Sequence, residues 1–227
     1  MGTDIGQYIQ QWEVIVDKYV EHRKQTLALN PSWPEDDFRL ALYGLPGNVL
    51  VTGLLGAKMI RTCLLSTAWW DANIEGNRTL SQRQHQTDQY VVHTKVGVYV
   101  LFFSMLEAVL RQLLRELKPG ACNNAYDAFV NVYRSLLKHV GLQHHSSFLD
   151  FARELRNVIH NNGVHISKDS LDMTLTFDGK PYTFQHGKKV NFAYAELLFR
   201  IYEHALSFID ELVACQPVSQ MLATRSV

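Results

Sequence analysis

The chain lacks an excess of either charge. Its 22 Lys plus Arg balance 22 Asp plus Glu over 227 residues, so the formal net charge is zero with neutral histidines. No global basic field therefore draws it to nucleic acid, and any such binding must come from a local patch. Cysteine is scarce: Cys63, Cys122 and Cys215 stand alone without C-x-x-C spacing. That excludes a zinc ribbon and a disulfide framework and predicts a reducing, cytoplasmic setting. The stretch from Met1 to Gly6 has neither the basic region nor the apolar core of a secretion signal. The most apolar run, Val96 to Leu106, is too short to span a bilayer and is bracketed by Lys95, Glu107 and Arg111, so no membrane association is expected. A phosphate-cradling glycine loop and a glycine-flanked nucleophile are missing as well, which argues against P-loop and serine-hydrolase chemistry.

What the chain does have is apolar residues, 47% of the total, enough for a substantial core. Ile9, Trp12, Ile15, Val16, Tyr19 and Val20 recur at helical spacing between Ile5 and Leu29, where Asn30-Pro31 stops the run. Pro31, Pro34 and Pro46 then break the chain, with Glu35, Asp36 and Asp37 opening a short helix and a second long helix running from about Asn48 to Ala72. The polar stretch from Asn73 to Gln89 is the best candidate boundary and either begins a helix or connects two units. Further helices are predicted up to Leu117, from about Asn124 to His139, from about Ser147 to Asn161 and from Val190 to Ala214. Leu171 to Phe177 alternates, Asp178-Gly179 is a hairpin turn, and Tyr182-Thr183-Phe184 resumes the extended pattern. The expected fold class is mainly α, with one small β-hairpin at about 171–185 before the C-terminal helix. Residues 1–75 form an N-terminal helical region packed on or extending the bundle of residues 76–227.

The most informative segment is Leu155-Arg156-Asn157-Val158-Ile159-His160-Asn161-Asn162-Gly163. Arg156 and His160 stand one helical turn apart and share a face. A guanidinium can hold a phosphate and an imidazole can move a proton, two of the jobs that RNA cleavage needs. The same residues also read simply as a helix end, with cations complementing the macrodipole and Asn161-Asn162-Gly163 closing the last turn.

From about Val91 to Leu212 the chain resembles the HEPN superfamily (higher eukaryote and prokaryote nucleotide-binding domains), helical domains with an Arg-polar-x-His signature late in one helix. Phe103 to Arg111 is similar to the family's earlier core helix, with Glu107 followed four positions later by Arg111. The order Asn-Asn-Gly, hairpin, long C-terminal helix is similar to a subset attached to bacterial defence or mobile-element loci. In this chain three residues separate Arg156 from His160, fewer than the four to six usual in the superfamily. Either Arg156 or Arg153, seven residues before His160, completes the pair, since both spacings fall on one face.

The resemblance implies a HEPN-like bundle and a metal-independent endoribonuclease acting in antiviral defence or a toxin-antitoxin setting, with no cofactor. His160 would move the proton, Arg156 would stabilise phosphate charge and Asn157 would aid placement. Arg153, Glu107, Arg111 and Asn161 would support them, with Glu107 orienting Arg153 or Arg156 or, more plainly, pairing with Arg111 along its own helix. RNA is the implied substrate, a homodimer the implied assembly, and an antitoxin or defence-complex subunit a further partner. A catalytically silent HEPN-like dimerisation or nucleotide-binding module is the alternative. Lys188 and Lys189 offer a weaker RNA contact. His139, His144, His145 and His165 invite a metal reading, but no carboxylate or cysteine falls at accompanying ligand spacing, so no metal is predicted. His165 follows the cap closely enough to return near His160, while exposure at a strand edge explains it equally well.

Overall fold

The computed structural model describes residues 5–76, 78–122 and 128–221. Among them the chain forms α1 (Ile5–Leu29), α2 (Phe38–Met59), α3 (Thr67–Asn73), α4 (Leu80–Leu117), α5 (Phe129–Val140), α6 (Ser146–His160), the strands β1 (Met173–Phe177) and β2 (Lys180–Phe184), α7 (Ala195–Ala214) and a last turn α8 (Gln216–Ser219). The architecture is mainly helical, with a two-stranded antiparallel hairpin ahead of the C-terminal helices.

The first helix ends where Asn30-Pro31 predicts. Pro46 does not break the chain as expected. It lies buried inside α2, which begins at Phe38, and the helix continues as a π-helical turn over Ile60–Leu64 before Ser66 caps α3. A proline inside a helix removes one ladder bond, and packing against α1 and α4 outweighs that local cost here. Close approach to α1 depends on Gly53, because a Cβ there would lie 2.4 Å from the Trp12 ring. The polar stretch after Asn73 resolves into the start of α4, fixed by a capping box between Thr79 and Gln82. The predicted start of α5 near Asn124 lies outside the described residues, and the last helix begins five residues later than expected, at Ala195.

One apolar core runs from Tyr8 and Trp12 on α1, through Leu50 on α2, Phe102 and Leu106 on α4, and Leu149 and Leu155 on α6, to Ile201 and Phe208 on α7. It therefore joins residues on both sides of the boundary proposed at residue 75. The stretches Phe38–Leu64 and Leu80–Leu117 are long and apolar enough to cross a membrane, and 39% and 44% of their most apolar windows are buried within the fold.

The hairpin packs through Phe177, Tyr182 and Phe184, with the Phe177 ring stacked on Phe151 of α6 at 4.8 Å. Positive φ at Asp178 (53°) and Gly179 (70°) fits the tight turn predicted for that pair. Arg200 on α7 holds the turn by donating to Asp178 at 2.6 Å and to the Tyr182 hydroxyl at 3.0 Å. The C-terminal turn is held by Arg39, whose guanidinium donates to both Asp37 carboxylate oxygens at 2.8 and 2.7 Å and to the carbonyls of Ser219 and Met221 at 3.0 Å.

Candidate active site at the end of α6

Helix α6 buries Phe148, Leu149, Phe151, Ala152, Leu155 and Val158, and its last turn emerges from the bundle. At about 100° per residue, Arg153, Arg156, Asn157 and His160 occupy an arc of about 100°. His160 is exposed, and the other three are half-buried. The rise between Arg156 and His160 is about 6 Å, one helical turn.

The helix closes with a Schellman motif. Gly163 N–H donates to the Val158 carbonyl at 2.9 Å and Asn162 N–H to the Ile159 carbonyl at 3.1 Å. Asn162 and Gly163 hold positive φ of 56° and 83°, as this left-handed closure requires. Asn161 and Asn162 are exposed, so the Asn-Asn-Gly segment is a cap in its backbone geometry.

The outgoing chain then returns beside the helix end. Val190 N–H donates to the Gly163 carbonyl at 2.9 Å, His165 N–H to the Lys188 carbonyl at 3.1 Å, and Val164 forms a bridge with Lys189. The segment carrying the exposed Lys188 and Lys189 is therefore fixed against the residues that leave the motif.

The two candidate arginines differ in company. Arg153 Nη2 lies 3.8 Å from a Glu154 carboxylate oxygen and influences the Tyr133 hydroxyl, which donates to Asp150. Arg156 makes no ion pair within 4.0 Å among the described residues; its Nε, like that of Arg153, is enclosed without a hydrogen-bond partner there. Its neighbour is Tyr99 on α4, whose hydroxyl donates to the Ala152 carbonyl at 2.7 Å. Burial pushes the Tyr99 phenol well above its ordinary range, and the positive charge of Arg156 pulls part of that rise back. Glu107 takes up its intrahelical partner, accepting from Arg111 Nε at 3.0 Å and Nη2 at 2.6 Å. No ion pair joins Glu107 to Arg153 or Arg156 among the described residues.

His165 is not an exposed strand-edge residue. It is 1% exposed, with Nδ1 2.8 Å from Glu154 Oε1 on the inner side of α6 and its ring near Phe184. The bridge to Lys189 and the hairpin cover it, and neither of its ring nitrogens has a hydrogen-bond partner among the described residues. Helical phase carried the available signal, since Glu154 falls about 100° from Arg153 toward the buried face. The His-rich turn also differs from expectation, because the fold brings a carboxylate to it: Glu211 of α7 lies 2.9 Å from His144 Nε2 and 3.1 Å from His145 Nε2.

No protein-family profile matches the chain, and neither characterised proteins nor solved structures include a significant match. Three surface clefts, of about 500, 400 and 400 Å³, are lined mainly by α1, α2 and α7, and none is lined by Arg153, Arg156 or His160. At the emerging end of α6, His160, Asn161 and Asn162 are exposed and Arg153, Arg156 and Asn157 half-buried.

Proposed function

We propose that the protein is a HEPN-like, metal-independent endoribonuclease whose working face is the emerging end of α6. The observation that carries this reading is the half-buried Arg156 guanidinium with no ion-pair partner among the described residues, one turn from the exposed imidazole of His160. A cation held without a counter-charge favours an anionic ligand, and a phosphate diester supplies one. The substrate 2′-OH attacks the adjacent phosphorus, His160 takes or gives the proton, and Arg156 stabilises charge on the phosphate oxygens. Asn157, on the same arc, places the phosphate.

Arg156 is the stronger candidate than Arg153, whose charge is partly answered by Glu154. Lys188 and Lys189, anchored beside the cap, supply the local basic contact that a chain of zero net charge needs. One Arg–His pair provides half of an acid, base and charge-stabilising set, and His160, Asn161 and Asn162 are exposed where a second copy would dock, so a two-fold dimer would complete the site. A toxin or antiviral-defence setting follows from the same resemblance, with an antitoxin or defence-complex subunit as partner in the cytoplasm.

Zero net charge and the short Arg156–His160 spacing also favour a second reading, a silent HEPN-like module that binds a phosphate or dimerises without turnover. One assay separates them. Wild type and His160→Ala are incubated with a mixed structured and single-stranded RNA pool in excess chelator, and product ends are mapped. Cleavage by wild type alone, leaving cyclic phosphate ends, supports the nuclease. Equal, background-level products from both proteins move the assignment to the silent module.

A further inference from the structure

The turn between α5 and α6 places two imidazoles against one carboxylate. His144 and His145 close the 3₁₀ turn Gln143–His145, and Glu211 lies near the end of α7, 67 positions after His144. One ring nitrogen of each histidine and a Glu211 oxygen all lie within 4.8 Å of one another. Both imidazoles approach the same oxygen, Oε2, and their ring centroids are 4.2 Å apart. We propose that His144, His145 and Glu211 form a binding site for a divalent transition-metal ion of the zinc class, which staples the α5–α6 turn to α7.

Ligand type favours this class. Two imidazole nitrogens and one carboxylate are borderline donors suited to Zn²⁺, Co²⁺ or Ni²⁺, whereas Ca²⁺ and Mg²⁺ prefer sets made of oxygen. Geometry agrees as well. Ligands about 2.1 Å from a tetrahedral ion are separated by about 3.4 Å, so the two His–Glu211 separations of 2.9 and 3.1 Å need a few tenths of an ångström of opening, while the two imidazole ligand atoms stand within 4.8 Å of each other.

The three ligands divide the work. His145 is the fixed one, with its side chain 13% exposed and its ring 4.9 Å from Phe208. His144 and Glu211 are 60% and 45% exposed, which lets solvent complete the coordination. His144 Nε2 is hydrogen-bonded to Glu211 Oε2, whereas His145 Nε2, 3.1 Å from the same oxygen, is enclosed without a hydrogen-bond partner among the described residues.

The site lies at the opposite end of α6 from His160, about 20 Å away along the helix axis, so it is independent of the proposed nuclease chemistry. Its test uses the full chain, stripped with chelator and dialysed, then titrated with Co²⁺ while visible d–d absorption is followed. The expected result is one saturable Co²⁺ per chain, displaced by Zn²⁺ and left in place by excess Mg²⁺. Zinc at about 100 times its dissociation constant raises Tm by about 5–10 °C. His144→Ala and Glu211→Gln, both at solvent-accessible positions, each weaken Co²⁺ binding at least tenfold while the metal-free Tm stays close to that of wild type. Absence of saturable binding by wild type, or unchanged affinity in both variants, overturns the site.

Discussion

Arg39, on the first turn of α2, has its guanidinium occupied on every side, whereas Arg156, near the end of α6, is held half-buried without an ion-pair partner among the described residues. Arg39 is 2% exposed, forks onto Asp37, donates to carbonyls of the C-terminal segment and stacks 3.6 Å over Trp33. Its donors are used in holding two parts of the chain together. The Arg156 Nε is enclosed on an arc that also carries Asn157 and exposed His160. One fold thus contains a cation engaged internally and a cation whose surroundings favour an external anion. The difference lies in neighbours rather than residue type: Asp37 stands two positions from Arg39, while the nearest named influence on Arg156 is the neutral phenol of Tyr99.

The largest expected effect tests the uncommitted cation. His160→Ala lowers RNA cleavage by about 10²–10⁴-fold, the usual contribution of a general acid or base. Arg156→Ala lowers it by about 10²–10³-fold, and both variants keep the wild-type Tm within about 2 °C. Rate measurements on RNA in chelator, paired with thermal melts, check this; a drop in Tm that matches the loss of rate would make Arg156 a structural residue like Arg39. Arg39→Met reverses the pattern. It strands the Asp37 carboxylate in the core and destabilises the fold by about 3–5 kcal/mol, read by urea unfolding, while the rate per folded molecule is unchanged.

These two arginines also mark how far residue order alone carries the reading. Periodicity located α1 to its last residue and α6 to within one residue at each end, because amphipathic spacing, Asn-Pro and Asn-Asn-Gly are local signals. Pro46 misled because tertiary packing on both sides of α2 overrides a local preference. The arc of Arg153, Arg156, Asn157 and His160 was legible from helical phase, but their neighbours were not. Tyr99 lies 57 positions before Arg156, and Glu211 lies 67 after His144; contacts at such separation leave no local pattern. The same holds for His165, which in sequence reads equally as a residue returning near His160 or as an exposed strand edge, and which the fold encloses beside Glu154 and the Lys189 bridge.

A smaller, distributed effect appears at high pH. Burial raises Tyr19, Tyr43, Tyr99, Tyr133 and Tyr202 above their ordinary range. An unfolded chain loses these protons near pH 10, so the folded state binds more protons above that pH. The stability they contribute is complete below about pH 10 and is lost as pH rises toward the raised folded values. Urea unfolding between pH 9 and 11.5, with tyrosinate absorbance followed in parallel, should show a falling unfolding free energy.

The smallest effect separates the cap from the chemistry beside it. Asn162 holds φ at 56°, which costs a residue with a Cβ more than it costs glycine, and its backbone already makes the Schellman bond to Ile159. Asn162→Gly keeps that bond, relieves the local strain and gains chain entropy in the unfolded state, and these opposing terms leave stability changed by no more than about 0.5 kcal/mol. If Asn162 serves only the backbone, RNA cleavage by the variant equals that of wild type within about twofold. A loss of rate comparable to that of Arg156→Ala, at unchanged stability, would instead bring the Asn162 side chain into the working face and extend the site beyond the arc of α6.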